Sequence, residues 1–353
     1  MTLNVLVVDD SLMYRGLLSD IIKDIPHALL AGTAANGCLA IEQIKMTPPD
    51  IVLLDITMPE MDGFETLKAI KRDYPEITVV MISSANRTQA DITIRALSSG
   101  AYDFISKPES EDIQATISTL KGFLVPIFDS VLAKQKQISP KFPAVSLPAS
   151  PKKFCSKSFH AVCIAVSTGG PDALHQLIPK LNGNLGCPVF VVQHMPPVFT
   201  ASLAAHLDKN SALTVKEAEQ GENIKNNTVY IAPGGRHMTA TKGLNGPIIR
   251  LNDDPPENSC RPAADVLFRS LPNLYQGHLL SVVLTGIGSD GTKGVKAIKD
   301  AGGYCLAQNE SSCVVYGMPR SVFEAGLTDE VLDLHEVPSR IHELLQVKSV
   351  ASS

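Results

Sequence analysis

The sequence lacks the features that direct a protein to nucleic acid or into a membrane. Its 31 basic residues are outnumbered by 36 acidic ones, which gives a formal net charge of −5 and a pI near 6.0. This balance provides no basic field for nucleic acid or for an anionic membrane surface. Acidic residues follow the N-terminus too soon for a signal peptide, and no apolar run approaches membrane-spanning length. We therefore expect a soluble cytoplasmic protein that neither binds nucleic acid nor inserts into a membrane.

The cysteines also lack the pattern of a disulfide framework or a zinc site. They number seven, which is odd, no Cys-x-x-Cys pair occurs, and several lie inside apolar runs. Disulfide frameworks use paired cysteines and occur in oxidising compartments. The pattern is therefore typical of reduced core residues in a cytosolic protein.

Chain length and the alternation of apolar runs indicate two α/β domains. A chain of 353 residues is too long for one average domain, and a hydrophobic content of 44% is sufficient for two cores. Residues 1–122 and 158–353 each alternate short apolar runs with segments of helical period, which is typical of parallel βαβ units. The predicted strands are 5–8, 29–32, 51–54, 77–82 and 103–105, then 161–166, 188–193, 228–231 and 279–285. We expect two doubly wound parallel-sheet domains, a flavodoxin-like domain followed by a Rossmann-like domain.

A change of composition separates the two predicted domains. Residues 126–157 contain five prolines, several serines and six lysines against a single acid, Asp129. Such a segment is typical of a linker between domains. We place the linker at residues 123–157 and allow a helix at its start.

Polar residues follow the predicted strands of the first domain. Asp9 and Asp10 end the first strand, Asp55 the third and Ser83 the fourth, while Lys107 follows the fifth. Because the carboxyl ends of these strands share one edge of the sheet, the side chains should converge. Three carboxylates repel one another unless a cation joins them, and oxygen ligands alone favour Mg²⁺. Phosphoryl transfer onto Asp55 would use such a metal, together with the lysine, to neutralise charge. The alternative is that these aspartates only cap helices. Helix capping would explain any one of them, but it does not explain the whole set in this order.

Three stretches of the first domain resemble the receiver domain of two-component response regulators. They are Val-Val-Asp-Asp-Ser at 7–11, Leu-Leu-Asp-Ile-Thr-Met-Pro-Glu-Met-Asp-Gly at 53–63 and Ser-Lys-Pro at 106–108. The resemblance covers essentially the whole domain. It implies that Asp55 is the phosphoacceptor, that Asp10 and Asp55 bind Mg²⁺ directly with Asp9 assisting, and that Ser83 and Lys107 respond to the phosphoryl group.

Three further polar residues follow predicted strands of the second domain. Ser167 lies in Ser-Thr-Gly-Gly-Pro after the first strand, His194 ends the second, and Asp290 lies in Ser-Asp-Gly after the strand at 279–285. A serine on a strand-to-helix turn can be a nucleophile, a histidine can take its proton, and an aspartate can orient the imidazole. Taken alone, the serine segment could equally be a phosphate-binding loop or a helix cap, although the common nucleotide-binding glycine patterns are absent.

Six stretches of the second domain resemble the CheB-type chemotaxis protein-glutamate methylesterases. They are Val-Ser-Thr-Gly-Gly-Pro (166–171), Val-Gln-His-Met-Pro (192–196), Ile-Ala-Pro-Gly-Gly-Arg-His-Met (231–238), Arg-Pro-Ala-Ala-Asp (261–265), Leu-Thr-Gly-Ile-Gly-Ser-Asp-Gly (284–291) and Tyr-Gly-Met-Pro-Arg (316–320). With the receiver, the resemblance spans nearly the full chain. It implies a catalytic triad of Ser167, His194 and Asp290, and an oxyanion site of backbone N–H groups near Gly169 and Ile287.

The resemblance also implies a function and partners. A phosphorylation-activated serine hydrolase of this family demethylates glutamate methyl esters, releases methanol, and deamidates glutamines on methyl-accepting chemotaxis receptors, which gives sensory adaptation. Its implied partners are the cytoplasmic domains of those receptors and a chemotaxis histidine kinase that donates the phosphoryl group. Mg²⁺ would serve the receiver, and the esterase reaction would need no cofactor. Two alternatives are a second domain that only binds a ligand, and a hydrolase whose ester or amide substrate lies outside chemotaxis.

Overall fold

The chain forms two α/β domains, each with its own hydrophobic core. The computed structural model describes residues 2–84, 86–108, 112–137 and 158–346. Two compact units divide the chain, residues 1–147 and 148–353, and each contains a parallel sheet with helices. The predicted fold class is confirmed.

The first domain has five parallel strands in the order β2-β1-β3-β4-β5, which is the expected flavodoxin-like arrangement. Its elements are β1 (Leu3–Val8), α1 (Leu12–Lys23), β2 (Ala28–Ala34), α2 (Gly37–Met46), β3 (Ile51–Asp55), α3 (Gly63–Asp73), β4 (Thr78–Ser83), α4 (Arg87–Ser98), β5 (Asp103–Ser106) and α5 (Ile113–Gln137). Strands β1, β3 and β4 are buried over nearly their whole length, because helices cover both faces of a parallel sheet.

Four helices of this domain begin at side chains that cap them. Ser11, Asn36, Asp62 and Asn86 each accept a hydrogen bond from the backbone N–H three residues further on. Short polar side chains are favoured here because they satisfy a helical N–H group that has no partner within the helix. Asp62 also forms a reciprocal capping box with Glu65. Each helix start is therefore encoded locally, directly after a strand-end loop.

Helix α5 crosses the boundary that the sequence indicates at residue 122. It runs to residue 137 through Pro126, so the start of the predicted linker is helical. Beyond residue 122, the helix buries Leu124, Ile127, Phe128, Val131 and Leu132 in the core of the first domain. A proline removes one hydrogen bond from a helix, and the burial of these side chains offsets that loss. The rest of the predicted linker, residues 138–157, lies outside the described residues.

Part of this helix, Ile113–Ala133, is long and apolar enough to cross a membrane, with a mean hydropathy of 1.3. The expectation from the sequence, that no apolar run approaches membrane-spanning length, is therefore wrong for this helix. The same stretch contributes to the core of the first domain through Leu120, Leu124, Ile127, Phe128, Val131 and Leu132. A core helix reaches this length and hydropathy without a membrane, because its apolar side chains pack against a sheet.

The second domain has seven parallel strands in the order β14-β13-β12-β6-β7-β9-β8 and a separate antiparallel hairpin of β10 and β11. Its elements are β6 (Ala161–Val166), α6 (Gly170–Leu177), β7 (Val189–Gln193), α7 (Phe199–Lys209), β8 (Thr214–Glu217), β9 (Thr228–Ile231), β10 (His237–Gly243), β11 (Gly246–Asn252), α8 (Ala264–Ser270), α9 (Pro272–Tyr275), β12 (Leu279–Val283), α10 (Thr292–Asp300), β13 (Tyr304–Gln308), α11 (Met318–Glu324), β14 (Glu330–Leu332) and α12 (Val337–Gln346).

The direction of winding reverses at β6. From β6 the chain proceeds to β7 on one side, and it later returns to β12 on the other side before adding β13 and β14. In open parallel sheets, ligands bind beyond the carboxyl ends of the strands at such a reversal. The segments that follow β6, β7 and β12 therefore meet where an α/β domain carries its site.

We predict that Phe128→Ala destabilises the first domain by about 3–5 kcal/mol, because it leaves a cavity in a packed core. Only 1% of Phe128 is exposed, whereas 48% of Phe123 in the same helix is exposed, so Phe123→Ala is the matched control. The measurement is urea unfolding of the full-length protein, followed by circular dichroism. Equal losses in the two variants would contradict the packing of α5 beyond residue 122.

Candidate functional site

Three carboxylates meet at one edge of the first sheet, and we call them the carboxylate cluster. Asp9 and Asp10 follow β1, and Asp55 is the last residue of β3, which pairs with β1. One carboxylate oxygen from each residue lies within 4.8 Å of the corresponding oxygens of the other two. Asp9 and Asp55 are buried, while Asp10 is exposed. The pairing of β1 with β3 therefore brings Asp55 next to Asp9 and Asp10, which are far from it in the sequence.

Lys107 neutralises part of the charge of this cluster. Its Nζ lies 2.8 Å from Asp9 Oδ2 and 2.7 Å from Asp55 Oδ1. Burial acts to lower the pKa of Lys107, but hydrogen bonds to Asp55 and Asp9 outweigh burial and leave that pKa above its usual value. Burial raises the pKa of Asp55 in spite of the lysine contact. A single ammonium group against three carboxylates leaves the cluster attractive to a cation.

The donor set of the carboxylate cluster fits Mg²⁺. This ion prefers oxygen ligands and is usually held by one or two carboxylates together with waters and phosphate oxygens. All three aspartates offer carboxylate oxygens, and among the described residues no histidine or cysteine belongs to the group. Asp9, Asp10 and Asp55 could therefore hold the ion.

Ser83 and Lys107 end the neighbouring strands and are joined by their backbones. The Lys107 N–H donates to the Ser83 carbonyl oxygen at 2.7 Å. The Ser83 hydroxyl is fully buried and accepts a hydrogen bond from Thr93 of α4 at 3.0 Å. The ring of Tyr14 lies 4.6 Å from Lys107 Nζ. Sequence reasoning missed Thr93 and Tyr14, because a helical residue carries no local signal of its partner on another element.

Backbone hydrogen bonds join the ends of three strands in the second domain. Val166 pairs with Gln193 in the register of β6 and β7, and the His194 N–H donates to the Val166 carbonyl oxygen at 3.1 Å. On the other side, the Ser167 N–H donates to the Thr285 carbonyl oxygen at 3.0 Å. Ser167 and His194 are thus the first residues beyond two paired strands, at the reversal of the sheet.

Two glycines let the Ser167 turn pack closely against its neighbours. Gly169 has a φ of +73°, and a Cβ at this position would lie 2.4 Å from the side chain of Val314. A Cβ at Gly286 would lie 2.7 Å from the Cβ of Ser167 and 2.4 Å from the sulfur of Met318. Glycine is required at both positions because no larger residue fits without displacing the turn.

His194 and Asp290 form a direct pair. The imidazole Nε2 lies 2.7 Å from Asp290 Oδ2. The same carboxylate accepts hydrogen bonds from the backbone N–H groups of Ala264 at 2.6 Å and Asp265 at 3.0 Å, and from the Asn258 amide at 2.9 Å. Asp290 is almost completely buried, so these donors compensate its charge.

The pair holds both of its members in their charged forms. Burial acts to lower the pKa of His194, but the hydrogen bonds to Asp290 and Cys260 outweigh it and raise this pKa to about 9. For Asp290, burial acts to raise the pKa, while His194 and the two backbone N–H groups lower it below its usual value. The electrostatics are those of a base whose conjugate acid is stabilised by a fixed carboxylate.

The contact with Asp290 leaves one nitrogen of His194 for chemistry. Because the carboxylate accepts from Nε2, the neutral imidazole carries its proton there and has its lone pair on Nδ1. In the common serine-hydrolase arrangement the acid holds Nδ1 instead, so the His194 ring has the opposite orientation relative to its carboxylate. Within the described ranges, the Ser167 hydroxyl makes no hydrogen bond to the imidazole, and such contacts often tighten only with substrate bound.

Gln193 holds the backbone at both Ser167 and His194. Its Nε2 donates to the carbonyl oxygens of Ser167 at 2.9 Å and His194 at 3.2 Å. Gln193 stands directly before the histidine in the quoted motif, but sequence reasoning gave it no role. A signal was available, because a polar residue at the buried end of an apolar strand needs partners. Asn258 and Cys260 were also missed, since their turn carries no glycine to mark it.

Two backbone N–H groups near Ser167 have no acceptor. They belong to Gly169 and Ile287, for which the described part of the chain offers no hydrogen-bond partner. Gly169 stands at the start of α6, where N–H groups and the helix dipole favour negative charge. The arrangement can therefore stabilise an oxyanion.

Comparisons with known proteins show the family to which the two domains are similar. The family model described as CheB methylesterase matches residues 162–341, and the model for the response regulator receiver domain matches residues 5–118. The chain is 40% identical to the protein-glutamate methylesterase/protein-glutamine glutaminase of Desulfotalea psychrophila, over 96% of this chain and 97% of that protein. It is 42% identical to the protein of the same name from Bacillus licheniformis, over 96% and 97%. The crystal structure of the Thermotoga maritima CheB methylesterase catalytic domain is similar, with 44% identity, a TM-score of 0.52 and coverage of 53% of this chain and 99% of that one.

We predict that Gly286→Ala lowers kcat for ester hydrolysis by about 100-fold, because the added methyl group must push Ser167 out of position. Gly288→Ala is the matched control, since it strains the same turn at a φ of +85° but meets no atom within 4 Å. The thermal stability of each variant is measured in parallel, and kcat is compared at a temperature at which both variants are folded. A Gly286→Ala protein as active as the control would contradict the close contact.

Proposed function

This chain belongs to the CheB methylesterase family, and we propose that it demethylates glutamate methyl esters on chemotaxis receptors in response to phosphorylation of Asp55. The relatives are named as protein-glutamate methylesterases and protein-glutamine glutaminases, and the chain is an enzyme of that class with a receiver domain. The observation that carries the proposed site is the His194–Asp290 pair at the strand reversal beside Ser167.

The proposed reaction uses Ser167 as nucleophile and His194 as base. As the Ser167 oxygen attacks the γ-carbonyl carbon of the ester, Nδ1 of His194 takes the hydroxyl proton. The carbonyl oxygen becomes an oxyanion, which the N–H groups of Gly169 and Ile287 stabilise. The ester C–O bond then breaks, methoxide receives the proton from His194, and methanol leaves.

Water completes the cycle by the same steps in reverse. His194 takes a proton from water, the hydroxide attacks the acyl-enzyme, and the bond to Ser167 breaks with return of its proton. The product is a glutamate carboxylate. A glutamine side chain follows the same course with ammonia as the leaving group, which accounts for deamidation. Neither reaction uses a cofactor.

The proposed control lies in the carboxylate cluster. Asp55 would accept the phosphoryl group from a chemotaxis histidine kinase, while Lys107 and Ser83 would contact its oxygens. Mg²⁺ held by Asp9, Asp10 and Asp55 would neutralise the charge of the phosphoryl group when bound. The buried hydroxyl of Ser83 already contacts Thr93 of α4, so a change at Ser83 would reach that helix.

The proposed substrate is the cytoplasmic helical domain of a methyl-accepting receptor, and the proposed location is the cytoplasm. Family membership leaves a purely ligand-binding second domain without support. A substrate outside chemotaxis is the remaining alternative, and the methanol assay below distinguishes it.

We predict that the purified protein releases methanol from methyl-labelled receptor membranes, and that acetyl phosphate with Mg²⁺ increases the rate. Asp55→Asn should keep the basal rate and lose the increase, because it has no carboxylate to phosphorylate. Ser167→Ala should lose release under both conditions. Normal release by Ser167→Ala would refute the nucleophile, and no release by folded wild-type protein would indicate a different substrate.

The pH dependence of the esterase provides a second prediction. His194 must be neutral to act as a base, and its pKa is raised to about 9 by Asp290 and Cys260 against the effect of burial. We therefore predict that kcat/KM rises about tenfold per pH unit in the neutral range and levels off near pH 9. Asp290→Asn should move the inflection to lower pH and reduce the rate on the order of 10⁴-fold. The rate of Ser167→Ala is subtracted at each pH, and a flat profile from pH 6 to 9 would be incompatible with this base.

A further inference from the structure

A tight turn at residues 257–260 lies against the His194–Asp290 pair, and we call it the 257–260 turn. The Glu257 N–H donates to the Cys260 carbonyl oxygen at 3.1 Å, and the Cys260 N–H donates to the Glu257 carbonyl oxygen at 2.9 Å. The central residues Asn258 and Ser259 have φ values of 52° and 61°. Positive φ at both central positions defines a type I′ turn, which residues other than glycine adopt at a cost in free energy.

An ion pair anchors this turn to α8. Arg269 donates from Nη1 and Nη2 to the two carboxylate oxygens of Glu257, at 2.8 Å and 2.6 Å. The hydrogen bond from Arg269 holds the pKa of Glu257 below its usual value. A two-point contact of this kind fixes orientation as well as distance. The turn is therefore held in one place relative to the helix that also contacts Asp290.

The anchored turn touches both ends of the pair. The Asn258 amide donates to Asp290 Oδ1 at 2.9 Å and to Asp265 Oδ2 at 3.0 Å. Cys260 Sγ lies 3.5 Å from His194 Nδ1. Asn258 thus donates to the carboxylate of Asp290, and Cys260 contacts Nδ1, the nitrogen of His194 that Asp290 does not bind.

The thiol and the Ser167 hydroxyl need the same lone pair. When the neutral imidazole carries its proton on Nε2, Nδ1 is the ring nitrogen that can accept a hydrogen bond from the S–H of Cys260. The proposed reaction requires the same nitrogen to accept the proton of the Ser167 hydroxyl. We propose that Cys260 is a positioning residue that holds Nδ1 of His194 whenever the imidazole is neutral, and that it must release this nitrogen for each turnover. This inference rests on the proposed function, because it assumes that His194 is the base.

Proton transfer within the contact would give the charged form of His194 that Asp290 stabilises. If the thiol proton moves to Nδ1, the products are a thiolate and an imidazolium, and His194 then has no lone pair to offer Ser167. A thiolate is the form that reacts with alkylating agents. Cys260 is half-buried, whereas Cys163, Cys187, Cys305 and Cys313 are buried. With iodoacetamide, the sulfur would attack the CH₂ carbon, an S–C bond would form, iodide would leave, and the added group would lie against Nδ1.

The inference predicts a reactive cysteine whose modification stops the esterase. Iodoacetamide should inactivate full-length protein at least tenfold faster than it inactivates Cys260→Ala, and mass spectrometry should find the label on Cys260. Cys38→Ala is the matched control, because Cys38 is exposed on the first domain, so this variant should be inactivated as fast as wild type. Inactivation of Cys260→Ala at the wild-type rate would overturn the inference.

The pH profile separates this role from a structural one. Cys260→Ala should move the inflection of kcat/KM to lower pH and raise the rate at pH 7 several-fold, because nothing then competes for Nδ1. Cys260→Ser should restore part of the wild-type profile but not the sensitivity to iodoacetamide. Since both variants are tested for folding by circular dichroism, an unchanged inflection in two folded variants would refute the role.

Labelling kinetics keep the two proposals apart. His194→Ala should slow the labelling of Cys260 by at least tenfold, because the thiol loses the base that takes its proton. This measurement needs no ester substrate. If wild-type protein released no methanol but His194→Ala still slowed labelling, the receptor substrate would be wrong and the Cys260–His194 contact would stand. Equal labelling rates would contradict the contact whatever the substrate.

Discussion

The buried carboxylate of Asp290 must be compensated, and much of the second domain is arranged around that requirement. An isolated carboxylate in a protein interior is very costly, so it must receive hydrogen bonds from fixed donors. Asp290 receives four, from His194, Ala264, Asp265 and Asn258. These donors belong to the end of β7, the start of α8 and the 257–260 turn. These three segments therefore meet at Asp290, in the loop that follows β12, and the contact with Asp290 orients the imidazole of His194.

The carboxylate cluster of the first domain meets the same constraint only in part. Lys107 bridges Asp9 and Asp55. Among the described residues, the carboxylate of Asp10 contacts no cation, since Arg15 donates at 2.9 Å to the backbone carbonyl oxygen of Asp10. The remaining negative charge is what a divalent cation requires. The negative charge of Asp290 is fully compensated, which fixes the orientation of the His194 imidazole. The negative charge of the carboxylate cluster is compensated only in part, which leaves a site that can accept a cation.

Strand ends could be predicted because a polar residue that terminates an apolar run is visible in the sequence. Ser167, His194 and Asp55 were all found in that way, and the parallel sheet then determined their neighbours. The 257–260 turn could not be found, because its two positive φ angles fall on Asn258 and Ser259 and are imposed by tertiary contacts. Residues 123–137 were assigned to the linker, with a helix allowed at its start, because Pro126 and a change of composition are typical of a linker. The buried face that makes these residues part of the first domain becomes visible only against the sheet.

The distance along the chain between His194 and Asp290 also governs when activity can begin during synthesis. The two residues are 96 positions apart, and the strand that precedes Asp290 must pair with β6 before the carboxylate reaches the imidazole. Under the proposed mechanism, a growing chain that has exposed Ser167 and His194 alone is catalytically silent. The first domain leaves the ribosome earlier and folds as a unit. Every molecule that becomes an esterase therefore already carries its receiver domain.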